Sequence, residues 1–518
     1  MKIILLLNLF LVLSGCADRQ ETEDQKQQEK PIKEIAVSID ASQTFQTIDN
    51  FGASDAWTCQ FVGNWPDAKR SAIADLLFST DTSANGNPEG IGLSLWRFNI
   101  GAGSAQQGEQ SGIKDEWRRA ESFLQKNGTY DWQRQAGQTW FLQAAKQRGV
   151  QQFLGFPNSP PVQMTRNGKA YASEGKSNLD PDRYGDYADY LATVVKGLGD
   201  KGIDIDYLSP VNEPQWDWSD GGQEGTPFMN EEIFGIVKAL NTVLEEEKLD
   251  TKIDIAEAGK IDYLYATEDK PGRGLQVQTF FDDSSPHYIG DLSHVGNVIS
   301  GHSYFTTSPF STAVEKRKQL AQEVASVSGL EFWMSEYCIL GDNDGEIEGG
   351  GRDLGIDPAL YVARVIHNDL VIANATAWHW WLAVSAYDYK DGLVYVDQNK
   401  TDGNFYDSKM LWALGNYSRF IRPGAVRIAV QSPDLNEGES SLLISAYAHP
   451  DDKQITTVVI NSGIEPVVLK LEFNNGTVTN LRPYVTSKEE DLDPGSPISE
   501  GSTITIAPRT ITTLVGNN

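Results

Sequence analysis

The sequence predicts an α/β fold: a (β/α)8 TIM barrel followed by a smaller all-β domain. Three observations carry that expectation. From Phe51 to Phe420 strand-like and helix-like stretches alternate, the sign of repeated βα units. After Arg422-Pro423-Gly424 the helical periodicity disappears, and short alternating runs separated by turn residues take over. The length of 518 residues is long for one domain and suits a barrel of ~250 residues or more plus a second unit.

The elements follow in order. Lys2 precedes an apolar run from Ile3 to Leu13 that ends in Leu13-Ser14-Gly15-Cys16. The run is too short to span a bilayer, and over 1–16 it reads as a secretory signal with a small-residue processing site. Residues 17–34 are polar, cannot bury a core and are expected to form a flexible tether. Residues 35–48 alternate well enough for one or two strands, marked by Ile35, Val37 and Ile39, then by Phe45 and Ile48.

The barrel is expected over 49–423. Its first strand begins at Phe51-Gly52-Ala53-Ser54-Asp55-Ala56-Trp57. Residues 69–78 carry helical spacing, 92–100 a second strand, 136–148 a helix and 152–156 a third strand, which breaks at Pro157-Asn158-Ser159-Pro160-Pro161. A helix over 184–198 leads to a fourth strand at 203–208. Helix 231–247 and strand 253–257 come next, then strand 298–302, helix 313–327, strand 331–336 and helix 358–372. An eighth strand over 375–382 and a helix over 406–420 close the ring. Beyond it, β runs are expected at 425–430, 442–448, 455–461, 467–471, 503–506 and 510–515, the texture of a β-sandwich over 424–518.

Hydrophobic residues make up 40% of the chain and tryptophans number 13, enough for a large core and for flat apolar faces in a cleft. The net charge of −29 argues against nucleic acid or an anionic membrane surface as a partner. Besides Cys16 there are only Cys59 and Cys338; a disulfide between them and two ordinary thiols are equally open. The stretch 341–355, with Gly341-Asp342-Asn343-Asp344-Gly345, has part of the look of a calcium loop but not its ligand spacing. It reads instead as a loop that shapes a cleft, and neither metal nor cofactor is expected.

The chemistry gathers at two strand ends. Tyr207-Leu208-Ser209-Pro210-Val211-Asn212-Glu213-Pro214 carries a strand into a proline, which cannot donate a ladder hydrogen bond, so Asn212 and Glu213 fall at a C-terminal end. Glu331-Phe332-Trp333-Met334-Ser335-Glu336-Tyr337-Cys338 ends the same way at Glu336. Barrel enzymes keep their chemistry at these ends, and glycoside hydrolysis uses two carboxyls. A glutamate after a strand is more often a solvated loop residue; two of them, each among aromatics, favour catalysis.

Together, Asn212-Glu213-Pro214, Ser335-Glu336-Tyr337-Cys338, Phe51-Gly52-Ala53 and His302-Ser303-Tyr304 resemble glycoside hydrolase family 30, in order from about residue 45 to the C-terminus. Asn-Glu-Pro alone is shared by many families of the retaining barrel clan; the ordered set is far more specific. The resemblance implies Glu336 as nucleophile and Glu213 as acid/base of a double displacement. It implies a sandwich completed by residues 35–48. It also implies that Asn212 binds the sugar 2-hydroxyl, that Arg97 pairs near the nucleophile and that Tyr304 donates to it. Trp57, Trp216 and Trp381 are candidate stacking platforms, Trp381 best of the three because the family keeps an aromatic there. His302 and Asn158 are candidate substrate contacts, with a buried structural histidine and a shaped Pro-rich turn as the plain alternatives.

Leu13-Ser14-Gly15-Cys16 resembles a bacterial lipoprotein box, which implies a lipidated Cys16, a chain held at the cell envelope by that anchor, and no other membrane contact. The loop Ala383-Val384-Ser385-Ala386-Tyr387-Asp388-Tyr389-Lys390-Asp391 lacks the basic groups with which the family's xylanases read glucuronic acid. The pattern is nearer to the β-1,6-galactanase and β-1,6-glucanase branches. The expected activity is therefore a retaining β-glycosidase on a neutral oligo- or polysaccharide, foremost an endo-β-1,6-galactanase, with β-1,6-glucanase or β-xylanase as alternatives. A surface glycan-binding lipoprotein with a dead barrel is the competing class, and the intact Glu213 and Glu336 speak against it.

Overall fold

The structure is a computed structural model that describes residues 34–435, 438, 440–451, 453–474, 478–499 and 501–517. The signal and lipoprotein box ending at Cys16, and the tether up to residue 33, lie outside the described residues.

Eight parallel strands close a barrel in chain order: Asn50–Ser54, Leu95–Asn99, Gln152–Phe156, Tyr207–Leu208, Lys252–Ala258, Val295–His302, Glu331–Tyr337 and Ala377–Ser385. The eighth pairs with both the first, Phe51 opposite Trp378, and the seventh, Met334 opposite Trp378. The strands are covered on both faces, so they read as continuous apolar runs; every residue of Ala377–Ser385 is buried. Helices such as Tyr184–Gly199 and Ile356–Val371 form the outer ring. Tyr187, Leu191, Val194 and Leu198 recur at helical spacing and turn the first of these onto the barrel.

The fourth strand is shorter than its apolar run. Only Tyr207–Leu208 forms a ladder, extended by single bonds from Asp206 N to Phe153 O and from Ser209 N to Gly155 O. Pro210 then has no N–H to continue it. Strands Gly392–Val396 and Phe405–Asp407 add to the outer edge of the eighth strand, so the last helix is confined to Lys409–Ser418, where the Ser408 side chain accepts from Leu411 N.

The all-β domain is one hydrogen-bonded sheet of nine strands that curls around its own core. Glu34–Thr47 lies inside it, antiparallel to Val426–Gln431 and parallel to Val467–Asn474. Ile35, Val37, Ile39, Ile428, Ile444, Val459, Leu469 and Leu514 fill that core. Two strands, Thr479–Thr486 and Asp491–Pro494, carry prolines that hide them in the sequence; both pair near an edge of the sheet. Asn416 fastens the sheet to the barrel, donating to Thr486 Oγ1 and accepting from Thr513 Oγ1.

Candidate active site

A cleft of about 480 Å³ opens at the C-terminal ends of the barrel strands. Glu213 and Glu336 are on its wall, 7% and 4% exposed. Trp57, Glu213 and Glu257 end or follow three strands with φ of 61°, 45° and 48°, a left-handed backbone that non-glycine residues seldom adopt. The bond from Glu213 N to the Glu257 carbonyl, 2.8 Å, holds the fourth and fifth strand ends together.

Glu336 is held from two sides. Arg97 Nη1 is 2.5 Å from its Oε2, and the Tyr304 hydroxyl donates to its Oε1 at 3.0 Å. Burial lifts the Glu336 carboxyl above its ordinary value, and His302 and Arg97 oppose that rise without cancelling it. The Arg97 guanidinium also donates to Asn212 Oδ1 at 3.0 Å, pairs with Glu257 at 3.1 Å and lies 3.6 Å over the Phe156 ring. Asn212 in turn donates to Asn158 Oδ1.

His302 joins two carboxylates. Its Nδ1 is 2.9 Å from Glu213 Oε1 and its Nε2 is 2.9 Å from Glu257 Oε2. Burial alone would push the imidazole down, but Glu336, Glu213 and Glu257 outweigh it and lift His302 to about 10. Burial alone would likewise raise Glu257; Arg97 first, then His302 and Ser335, hold it well below the usual carboxylate range. One oxygen of Glu213, one of Glu336 and a ring nitrogen of His302 lie within 4.8 Å of one another. That closeness would suit a metal ion, yet both imidazole nitrogens already face carboxylates and Arg97 faces Glu336, so the donors are engaged with one another.

The cleft walls differ at the two ends. At one end Trp57 and Trp381 meet edge to face at 5.3 Å, with Arg118 stacked 4.6 Å over Trp57. Asp391, fixed by Ser385 Oγ at 2.7 Å, lines the same end. At the other end Trp216 meets Phe305 edge to face at 6.1 Å. Gly259 makes room for the Trp216 indole, since a Cβ there would fall 2.5 Å from Nε1. Phe305 is exposed, with φ 60°.

Arg97, Asn158 and His302 are candidates for substrate contact in the sequence, and the structure sets them behind the cleft surface. Arg97 and His302 are fully buried against carboxylates, and Asn158 is buried against Asn212. Trp57, Trp216, Trp381, Asn212 and Tyr304 do line the cleft. Cys59 and Cys338 are both free thiols, and Cys338 borders the cleft. Of the expected cleft-shaping stretch 341–355 no residue is among those that line the cleft; Ile339 and Leu340, just before it, do, and Asn343 ties the loop back through Leu340 O and Ile347 O. Lys390, the one basic residue in the loop after the eighth strand, donates to the carbonyls of Gly350 and Gly351.

Three further residues escape a reading of motifs. Glu257 carries the signal that marks Glu213 and Glu336, a glutamate closing an apolar strand, but without a neighbouring Asn or Pro to single it out. Arg118 ends a single 3-10 turn, Glu116–Arg118, and Phe305 lies in a loop, and no periodicity reveals the path of either.

The sequence profile of O-Glycosyl hydrolase family 30 matches residues 34–395. An endo-β-1,6-galactanase of Hypocrea rufa is 25% identical over 422 residues, 78% of each chain. A glucuronoxylanase of Bacillus subtilis is 25% identical over 350 residues, 66% of this chain and 67% of its own. Among solved structures, a conserved exported protein from Bacteroides fragilis superposes with a TM-score of 0.86 at 34% identity, covering 93% of this chain and 100% of that one.

Proposed function

This chain belongs to glycoside hydrolase family 30 and is a β-glycosidase, and from that premise we propose that it is a retaining endo-β-1,6-galactanase acting on galactan or arabinogalactan side chains. One observation carries the retaining reading: carboxyl oxygens of Glu213 and Glu336 within 4.8 Å of each other. Retaining enzymes hold their carboxyls ~5–5.5 Å apart, whereas inverting ones leave ~6.5–9.5 Å for a water.

Glu336 is the nucleophile. Arg97 favours its charged form, and the Tyr304 hydroxyl aims it. Its attack on the anomeric carbon forms a glycosyl ester while Glu213 gives a proton to the departing glycosidic oxygen. Glu213 then takes a proton from the water that releases the sugar. Asn212, oriented by Arg97 and Asn158, faces the position of the sugar 2-hydroxyl. Trp57 and Trp381 hold the sugar that is attacked, and Trp216 with Phe305 holds the sugar that leaves.

Support for a neutral galactan comes from the galactanase relative, which aligns over most of both chains, and from a cleft lining in which, among the described residues, Arg118 is the one cation and has Asp115 beside it. Lys390 is spent on backbone carbonyls, and Arg118 faces Asp115 at 3.7 Å. Reducing-end release on linkage-defined β-glycans tests the substrate. Oligosaccharides from β-1,6-galactan are expected; release from β-1,6-glucan or xylan alone would overturn the galactanase reading and leave the glycosidase intact. The Cys16 anchor at the cell envelope is part of the same proposal. A Cys16→Ser variant that still sediments with membranes in high salt would refute it.

A further inference from the structure

Behind the two reacting carboxyls lies a third. Glu257 is fully buried and makes no contact with the cleft, yet it accepts from His302 Nε2 at 2.9 Å and from Ser335 Oγ at 2.6 Å, and it pairs with Arg97 Nη2 at 3.1 Å. These two cations are the ones that reach the reacting pair. Arg97 touches Glu336; His302 Nδ1 is 2.9 Å from Glu213 and 3.7 Å from Glu336.

Resting on the retaining reading above, we propose that Glu257 and His302 are a positioning pair that keeps one negative charge, and only one, shared between Glu213 and Glu336 throughout the cycle. Glu257 fixes His302 as an imidazolium, whose Nδ1–H faces both reacting carboxyls. With Arg97 and His302 positive and Glu257 negative, the buried cluster is neutral when one of the reacting pair is charged. At rest that one is Glu336, and Glu213 holds the proton. When the glycosidic C–O bond breaks, Glu336 forms an ester bond to the anomeric carbon and becomes neutral. Glu213 passes its proton to the leaving oxygen and becomes the anion. Hydrolysis of the ester restores Glu336 as a carboxylate, and Glu213 regains a proton from water. The charge count never changes, and His302 keeps both of its protons.

Below about pH 7 the other groups around His302 do not alter that count. Tyr304 and Cys338 are pushed well up by burial and stay neutral. His379 is pushed down to about 3 by burial and by Arg97 and stays neutral. Asp254, bonded by Ser209 and Ser300, is lifted to about 7 by burial and by Glu257, so it favours its protonated form on the acid side of neutrality. An imidazolium is also the state that satisfies both carboxylates, because each ring nitrogen then donates.

Glu257→Gln removes the compensating anion while keeping a similar shape. The acid function of Glu213 is then expected to fail first. The ratio of kcat/KM on glycan to kcat/KM on a dinitrophenyl glycoside, which leaves without a proton, should fall ~30-fold or more. The basic limb of the pH profile should move down by about one unit. Equal losses on both substrates with an unmoved profile would mean that Glu257 only supports the fold, and would overturn the proposal. Should the variant not fold, 15N spectra of the wild-type imidazoles decide: His302 is expected to hold both protons from about pH 5 to 8, and a neutral ring anywhere in that window overturns it. Covalent labelling of wild-type Glu336 by a fluorosugar keeps the two ideas apart, since a labelled Glu336 with a neutral His302 sinks the positioning pair alone.

Discussion

Arg97 and Glu336 form a buried ion pair, Nη1 to Oε2 at 2.5 Å, between the ends of the second and seventh barrel strands. The same guanidinium holds Glu257 and Asn212, so one side chain fixes the proposed nucleophile, the buried Glu257 and the residue proposed to face the sugar 2-hydroxyl. Arg97→Lys keeps the charge but replaces a planar fork with a point donor that cannot serve three acceptors at once. We expect kcat/KM to fall ~10²- to 10³-fold, about 3–4 kcal/mol of transition-state stabilisation. Steady-state kinetics check it, and a loss below threefold would show that the fork is dispensable.

Asp55 gives a pH signature in stability. It is fully buried at the end of the first barrel strand, and burial outweighs its bonds from Asn99 N and Gln138 Nε2 to lift it to about 8. A carboxyl raised in the folded state contributes stability that is full below its unfolded value near 3.8 and is lost as pH rises toward about 8. Glu224 and Asp254, each lifted to about 7, act with the same sign. The melting temperature is therefore expected to be higher at pH 5 than at pH 8.5, with a shallower slope in Asp55→Asn. Thermal unfolding across that range checks it, and a melting temperature that rises with pH would contradict it.

Phe305 holds an exposed ring on a left-handed backbone, packed edge to face against Trp216. An aromatic kept in that conformation beside the cleft suits an aglycone platform. Phe305→Ala is expected to lower kcat/KM on polymer about tenfold, roughly the loss of part of a buried phenyl face, and to leave a nitrophenyl monosaccharide within twofold. Parallel assays on the two substrates check it.

The fold and the two carboxyls that share the cleft were legible for the same reason. Parallel strands buried on both faces read as apolar runs, and Glu213 and Glu336 each close one among aromatics, within Asn212-Glu213-Pro214 and Ser335-Glu336-Tyr337-Cys338. What surrounds them was less legible. Glu257 ends an equally clear strand, but nothing in one dimension tells that its carboxylate turns inward to His302 and not outward to solvent. Arg118 and Phe305 depend on loop paths, and Asn158 and His302 look like sugar contacts until burial shows them holding Asn212 and Glu213. The fourth strand, expected at 203–208, pairs only over Tyr207–Leu208, and the proline-bearing Thr479–Thr486 was not expected at all, because pairing is set by neighbours and not by local propensity.

Glu213→Ala separates the roles of the two carboxyls. Activity on glycans should drop by several orders of magnitude, whereas a dinitrophenyl glycoside should still give a burst of phenolate followed by slow turnover. Azide should speed the slow phase, because the anion needs no general base, and the product should be a β-glycosyl azide formed by two inversions. An α-azide would mark an inverting enzyme.

Attack of Glu336 on the sugar can be trapped directly. A 2-deoxy-2-fluoro glycoside with a good leaving group, matched to the preferred sugar, slows the second step and traps the ester. Mass spectrometry of the digested protein is expected to find one fluorosugar per chain, on the peptide that carries Glu336. A label on Glu213 or Glu257, or no label on a chain that turns the compound over, would contradict it.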